Sequence, residues 1–193
     1  MPHKREYDVI VYGATGFTGR LVAEYLAQEY GHGSIKWAMA GRSLTKLEEV
    51  RDAIGAPADT PLLTANADDP AALKQLVART KVVITTVGPY QLYGEPLLAA
   101  CVETGTGYVD LCGEPNWMHD MIAKYDAAAR ESGARIVFSC GYDSIPFDLG
   151  VWLAEQTAKR VFGAPAPRVK GRIRSMKGTF SGGTFASGKA TAM

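Results

Sequence analysis

Residues 8 to 19 read Asp-Val-Ile-Val-Tyr-Gly-Ala-Thr-Gly-Phe-Thr-Gly. A short apolar run rich in β-branched side chains stops at Gly13. Three glycines follow at even spacing, and an apolar-periodic stretch begins behind them. The order is strand, tight glycine turn, helix. Gly13 can turn sharply, Gly16 lets backbone approach a phosphate, and Gly19 lets the helix lie close to the sheet. The opening helix aims unsatisfied N–H groups and a positive dipole end at an anion, which suits a dinucleotide pyrophosphate. The spacing G-x-x-G-x-x-G has one residue more in the turn than the plain G-x-G-x-x-G fingerprint. Glycines alone are weak information, and the flanking strand and helix give them weight.

The rest of the chain repeats that alternation. A helix spans 17–30, with Leu21, Val22, Tyr25 and Leu26 as its apolar face and Gly31 at its end. A strand over 35–40 leads to a helix with a Thr45/Glu48 capping box, core residues Leu47, Val50 and Ile54, and a stop at Gly55. A third strand covers 62–66. Asp69 then caps a short helix that starts at Pro70 and turns Leu73, Leu76 and Val77 inward. The run 82–87 reads as a strand buried on both faces. Pro96 opens the next helix, with Leu97, Leu98, Cys101 and Val102 inward, and a strand at 107–111 follows. Pro115 to Ser132 is a helix with Trp117, Met121, Ile122 and Tyr125 on one side, and 135–140 is the sixth strand.

This pattern predicts an α/β doubly wound parallel sheet, a Rossmann fold, over residues 1–150. Its ligands sit beyond the C-terminal strand ends, at Gly13, Gly41, Asn66, Gly88, Cys112 and Gly141. From about 145 the rhythm changes. Residues 151–193 are expected to be a linker helix and the truncated start of a second, α/β substrate domain. In that part Pro165 and Pro167 mark a linker, 168–176 alternates like a half-exposed strand, and 178–193 is Gly/Ser/Thr-rich with no closing element.

A formal net charge of +1 over 193 residues gives no electrostatic reason to expect nucleic acid as partner. Cys101, Cys112 and Cys140 are too few and scattered for a disulfide framework or zinc site, and His3, His32 and His119 have no ligand spacing, so no metal is expected. A reducing, cytoplasmic setting fits this cysteine usage. The polar N-terminus does not look like a signal peptide, and the apolar runs are too short to cross a bilayer; peripheral membrane contact and a homodimer stay open.

The end of the second strand selects the cofactor. An NAD site places an acid about 20 residues past the glycines, on the ribose hydroxyls. Here the chain reads Ala40-Gly41-Arg42-Ser43, with no acid until Glu48. Arg42 offers a charged planar fork for a 2′-phosphate and Ser43 a hydroxyl, so the cofactor is expected to be NADP(H). The competing reading makes Arg42 a solvated surface residue. Asp68 meets the adenine edge or caps a helix. Thr86-Val87-Gly88-Pro89-Tyr90 ends the fourth strand, where the nicotinamide half would lie. Tyr90, Tyr93 and Glu95 either touch substrate or belong to turn and packing chemistry. The cofactor-binding set is thus Gly13, Thr15, Gly16, Phe17, Thr18, Gly19, Arg42, Ser43, Asp68, Val87, Gly88, Pro89 and Tyr90.

No tyrosine has a lysine four residues on, and no G-x-S-x-G elbow occurs. Hydride transfer would then rest on the cofactor and on positioning by the fold. Tyr90 and Tyr142 are the candidate proton donors. Cys140 has no histidine near it in sequence, which disfavours a nucleophile, and Asp143 with Ser144 either caps the next helix or lines the hydride site.

Taken together, YGATGFTG (12–19), AGRS (40–43), TVGPYQLYG (86–94), YVDLCGE (108–114) and CGYDSIPFDLG (140–150) resemble the saccharopine dehydrogenase-like oxidoreductases, most closely their bacterial trans-acting enoyl reductases. The resemblance implies an NADPH-dependent enzyme that reduces a carbon–carbon double bond in a polyketide, acyl or lipid-like intermediate. It also implies a two-domain layout about twice this length. It carries no acid–base residue over to this half of the chain. The alternative from a different class is a regulatory or redox-sensing protein that binds NADP(H) without turning it over.

Overall fold

The computed structural model describes residues 5–30, 33–179 and 181–191. Six strands form one parallel sheet: β1 (Tyr7–Tyr12), β2 (Trp37–Gly41), β3 (Leu62–Thr64), β4 (Thr80–Thr85), β5 (Gly107–Asp110) and β6 (Ile136–Val137), in the order β3-β2-β1-β4-β5-β6. Tyr12 registers with Ala40 on one side and Thr85 on the other. The strand order therefore reverses at β1, and the glycine turn leaves the sheet at that switch point.

Strand alternation divides the core in two. Ile10, Tyr12, Ala38, Ala40 and Val83 face a layer made by α3 (Pro70–Val77), α4 (Tyr90–Thr104) and α5 (Pro115–Ser132). Val11, Trp37 and Met39 face α1 (Phe17–Tyr30) and α2 (Leu44–Ala53) on the other side. α6 (Ile145–Phe162) and α7 (Gly182–Thr191) complete the described chain.

The second layer explains a departure from expectation. β4 is not buried on both faces: Val83 is enclosed, whereas Val82 and Ile84 are only half-buried. α1 and α2 follow β1 and β2 and cover that half of the sheet, while α6 buries only Ala158 and does not close the rest. β6 has two residues instead of six, because the backbone leaves the ladder at Ser139, whose φ is +58°. The Ser139 N–H there donates to the Asp110 carboxylate.

Helix faces differ as well. α1 turns Gly19, Ala23 and Leu26 inward, and Leu21 and Tyr25 lie in solvent. Small residues at helical spacing let this helix approach the sheet, so side-chain size misleads there. Ile122 of α5 is likewise exposed beside buried Met121. α2 is capped by Ser43, which accepts from the Lys46 N–H, and not by Thr45; Asp69 caps α3 as its sequence suggests. α4 begins at Tyr90, so Pro96 lies inside the helix. That proline lacks the N–H that would reach the Leu92 carbonyl, and exposed Leu92 leaves solvent at hand for it. Residues 168–176 form no strand, and 182–191, where no element was expected, form α7. The helix stop assigned to Gly31 lies outside the described residues.

Candidate functional site

The three glycines of the β1–α1 turn are held by contact. Gly13 has φ +88°, and a Cβ there would lie 2.7 Å from Val87 Cγ2 and 2.8 Å from Thr86 Oγ1. A Cβ on Gly19 would lie 2.1 Å from the Gly13 carbonyl oxygen. The Gly13 and Ala14 N–H groups donate to Ala40 O, and Gly16 N–H donates to Gly13 O. Thr86 Oγ1 donates to Gly13 O at 3.3 Å, which ties the turn to the end of β4. Among the described residues, the N–H groups of Thr15, Phe17 and Thr18 have no backbone partner. They are the free donors of a helix start, and a pyrophosphate supplies the acceptors they lack. The cradle thus fits a dinucleotide.

Arg42 follows β2 directly. It is exposed and, among the described residues, makes no hydrogen bond or ion pair. Thr15 lies beside it in the fold, with its side chain 3.8 Å from where a Gly41 Cβ would stand. Ser43 uses its oxygen to cap α2, at 3.4 Å from Lys46 N, and its own hydroxyl hydrogen is left to donate. Asp68 is exposed next to Asp69, which takes the capping role, so the capping reading of Asp68 falls away. Tyr12 links these groups. Burial pushes its phenol up to about 12, with the Asp68 charge adding to the shift and the Arg42 charge opposing it. Both charges therefore stand near the same strand end.

Past the β4 end Val87 and Gly88 are half-buried and Pro89 is buried, with a cis Gly88–Pro89 peptide between the last two. Ser187 of α7 reaches this turn, 3.4 Å from where a Gly88 Cβ would be. Tyr90 is corrected from a candidate proton donor to a structural residue. It is 3% exposed, and its hydroxyl donates to Thr85 O at 3.1 Å and accepts from Leu111 N–H at 3.4 Å. Burial, then the nearby Asp110 charge, push its phenol far above the ordinary value, which makes it a weaker acid. Glu95 is drawn away too, bonded to Lys124 and Tyr125 on the outer surface. Tyr142, in the loop after β6, stays exposed, with its ring edge-on to Phe147. The Cys140 thiol is raised, mainly by burial, which opposes a nucleophilic role.

Two buried acids were missed as site residues. Asp110, at the end of β5, accepts from Tyr108 OH, Cys112 N–H and Ser139 N–H. Glu114 accepts from Tyr90 N–H and Gln91 N–H. Both lie in the YVDLCGE stretch, and an acid placed directly after an apolar strand was the available signal. A groove of about 560 Å³ runs between α3 and α4, and none of the expected cofactor residues lines it. Among the described residues no group of three His, Cys, Asp or Glu could hold a metal, and no helix is long and apolar enough to cross a membrane.

A parallel sheet with its glycine turn at the switch point and a cationic strand end defines a dinucleotide-binding domain of the Rossmann type. The chain belongs to the saccharopine dehydrogenase NADP binding domain family, whose model matches residues 9–137. It is 49% identical over 184 residues, 95% of its length, to a Mycobacterium tuberculosis protein that carries the provisional name trans-acting enoyl reductase. It is 48% identical over 152 residues, 78% of its length, to a Mycobacterium bovis trans-acting enoyl reductase. It spans 43% and 36% of those two proteins. Among solved structures, it resembles Saccharomyces cerevisiae saccharopine dehydrogenase (L-Glu forming), with TM-score 0.56, 19% identity and coverage of 81% of this chain and 32% of the other. It also resembles Citrobacter triphenylmethane reductase complexed with NADP(H), with TM-score 0.53, 16% identity and coverage of 79% and 56%. Those two likenesses speak to the fold. NADP(H) is the cofactor of the domain.

Proposed function

We propose that this chain is the cofactor half of an NADPH-dependent reductase acting on the double bond of an acyl or lipid-like substrate. The observation that carries the reading is the pairing of a free-donor cradle at Thr15, Phe17 and Thr18 with an unpaired Arg42 at the end of β2. The names of the two mycobacterial relatives supply the substrate class.

In this reading Gly13, Gly16 and Gly19 keep side chains out of the cradle, and the Thr15, Phe17 and Thr18 amides hold the pyrophosphate. Arg42 takes the 2′-phosphate bidentately, with the Ser43 hydroxyl as a second donor. Asp68 faces the adenine. Val87, Gly88 and Pro89 form the floor on which the nicotinamide ring rests. Bound NADPH supplies the hydride, delivered to the electron-poor carbon of the double bond. Tyr142, the exposed phenol at the same sheet end, gives a proton to the neighbouring carbon. Residues 151–193 open the substrate half, and the exposed Leu149, Trp152 and Leu153, at i, i+3 and i+4 of α6, form an apolar face fit for cover by further protein.

Calorimetric titration with NADPH and with NADH tests the cofactor site, and NADPH consumption by the full-length protein with enoyl thioesters tests the reaction. Tight NADPH binding with weak NADH binding, followed by turnover, supports the proposal. NADPH binding that alters affinity for a protein partner without turnover favours the regulatory reading instead.

A further inference from the structure

We propose that Glu114 is a positioning residue for the nicotinamide half of the cofactor. The inference rests on the cofactor reading above and extends it to a residue remote in sequence from the glycine turn.

α4 follows directly on the Gly88–Pro89 turn and starts at Tyr90. Its N-cap residue, Pro89, has no side chain able to accept from the first helical amides, and no side-chain cap is made there. Glu114 does that work from the β5–α5 junction. One carboxylate oxygen accepts from Tyr90 N–H at 2.9 Å and the other from Gln91 N–H at 2.8 Å. The residue is 3% exposed; the bond from Tyr90 is buried and that from Gln91 partly so. A carboxylate at a helix start is further favoured by the dipole. Glu114 is itself fixed: it precedes α5 as the N-cap, its N–H donates to Cys112 Sγ, and its carbonyl accepts from Met118 N–H. Tyr90 adds a third tie, from its hydroxyl to Thr85 O and Leu111 N–H.

The consequence is a turn pinned from behind. On the side away from Glu114, Ser187 of α7 stands 3.4 Å from where a Gly88 Cβ would be. The buried carboxylate sets where α4 begins, and hence where the turn's backbone stands. It touches neither cofactor nor substrate and acts through the turn. Glutamine at this position keeps the shape but offers one acceptor and one NH₂, so one amide meets a donor and loses its charge-assisted bond.

The test measures binding of two probes to the full chain and to Glu114→Gln. NADPH reports the whole cofactor, and 2′-phospho-ADP-ribose reports everything but the nicotinamide. The wild type should bind both. E114Q should weaken NADPH about tenfold while leaving 2′-phospho-ADP-ribose within about twofold, and should reduce the change in NADPH fluorescence on binding. A purely structural role would lower both affinities together. If E114Q does not fold, Glu114→Asp carries the test: it keeps the charge, reaches one amide only, and should show the same selective loss. Equal loss of both probes, or no loss, overturns the inference while the cofactor reading stands. Failure of the wild type to bind either probe overturns both.

Discussion

Gly19 offers the most direct test of the nucleotide cradle, because its role is separable from the ligand. A Cβ added there would lie 2.1 Å from the Gly13 oxygen, 2.7 Å from the Gly13 carbon and 2.8 Å from Thr86 Oγ1. Ordinary carbon–oxygen contact needs about 1 Å more than the closest of these. Two of the three atoms are backbone, so neither can rotate away. In Gly19→Ala, α1 must move outward or the β1 turn must open. Overpacking of this kind costs about 1–3 kcal/mol, and with backbone atoms in the way the upper end applies. Alanine returns about 1 kcal/mol of helix propensity. The net loss is therefore about 2 kcal/mol, a fall in Tm of roughly 4–8 °C for a chain of this size. Chemical denaturation and a thermal scan read it without any ligand. Gly16→Ala is the matched control, since its Cβ would meet only the Gly13 oxygen, at 3.3 Å. That variant should keep near wild-type stability and lose NADPH affinity, because its methyl projects into the cradle. A Gly19→Ala protein as stable as the wild type would show that α1 does not rest on the Gly13 carbonyl.

Other outcomes follow from the same geometry. Arg42→Ala should weaken NADPH by about 1.5–3 kcal/mol, the worth of a charge-assisted contact, and leave NADH nearly unchanged; equal effects on the two in titration would remove the 2′-phosphate assignment. Tyr90→Phe leaves the Thr85 carbonyl and Leu111 amide short of a partner, so stability should fall by about 1–3 kcal/mol. The pH profile of turnover should not move, and a shifted profile would restore Tyr90 as proton donor. Tyr142→Phe should do the reverse, lowering kcat with little change in Tm. Asp110 has its pKa raised, chiefly by burial. The folded state therefore holds its proton to higher pH than the unfolded chain, and this contribution to stability is lost as pH rises through the folded pKa. Asp110→Asn keeps an oxygen for the Cys112 and Ser139 amides, so it should gain stability relative to the wild type as pH rises above about 4, the ordinary aspartate value. Denaturation midpoints that run parallel over that range would refute the assignment.

Much of this architecture was legible from local pattern. The span of α1 from Phe17 to Tyr30 and that of α5 from Pro115 to Ser132 were readable from glycine, proline and apolar period, as was the Asp69–Pro70 start of α3. These signals act within one turn of the chain, so the sequence carries them directly. The glycine turn and Arg42 were readable for the same reason: both sit at strand ends that the alternation itself locates.

What the sequence by itself determined is thus the doubly wound parallel sheet, the glycine turn after its first strand and the chemistry offered at the strand ends. Only the tertiary structure decided which of two equivalent-looking side chains does what. Tyr90 and Tyr142 are both phenols at strand ends, but one is sealed between Thr85 and Leu111 and the other stands in solvent. Glu114 lies 24 residues from the amide it caps, a distance no local pattern spans. The same holds for β4, whose apolar run implies two covered faces, although coverage depends on where α6 goes. The physical reason is common to all three. Hydrogen-bond satisfaction and burial are set by whichever groups meet in space, and in a parallel sheet each neighbouring strand comes from a different part of the chain.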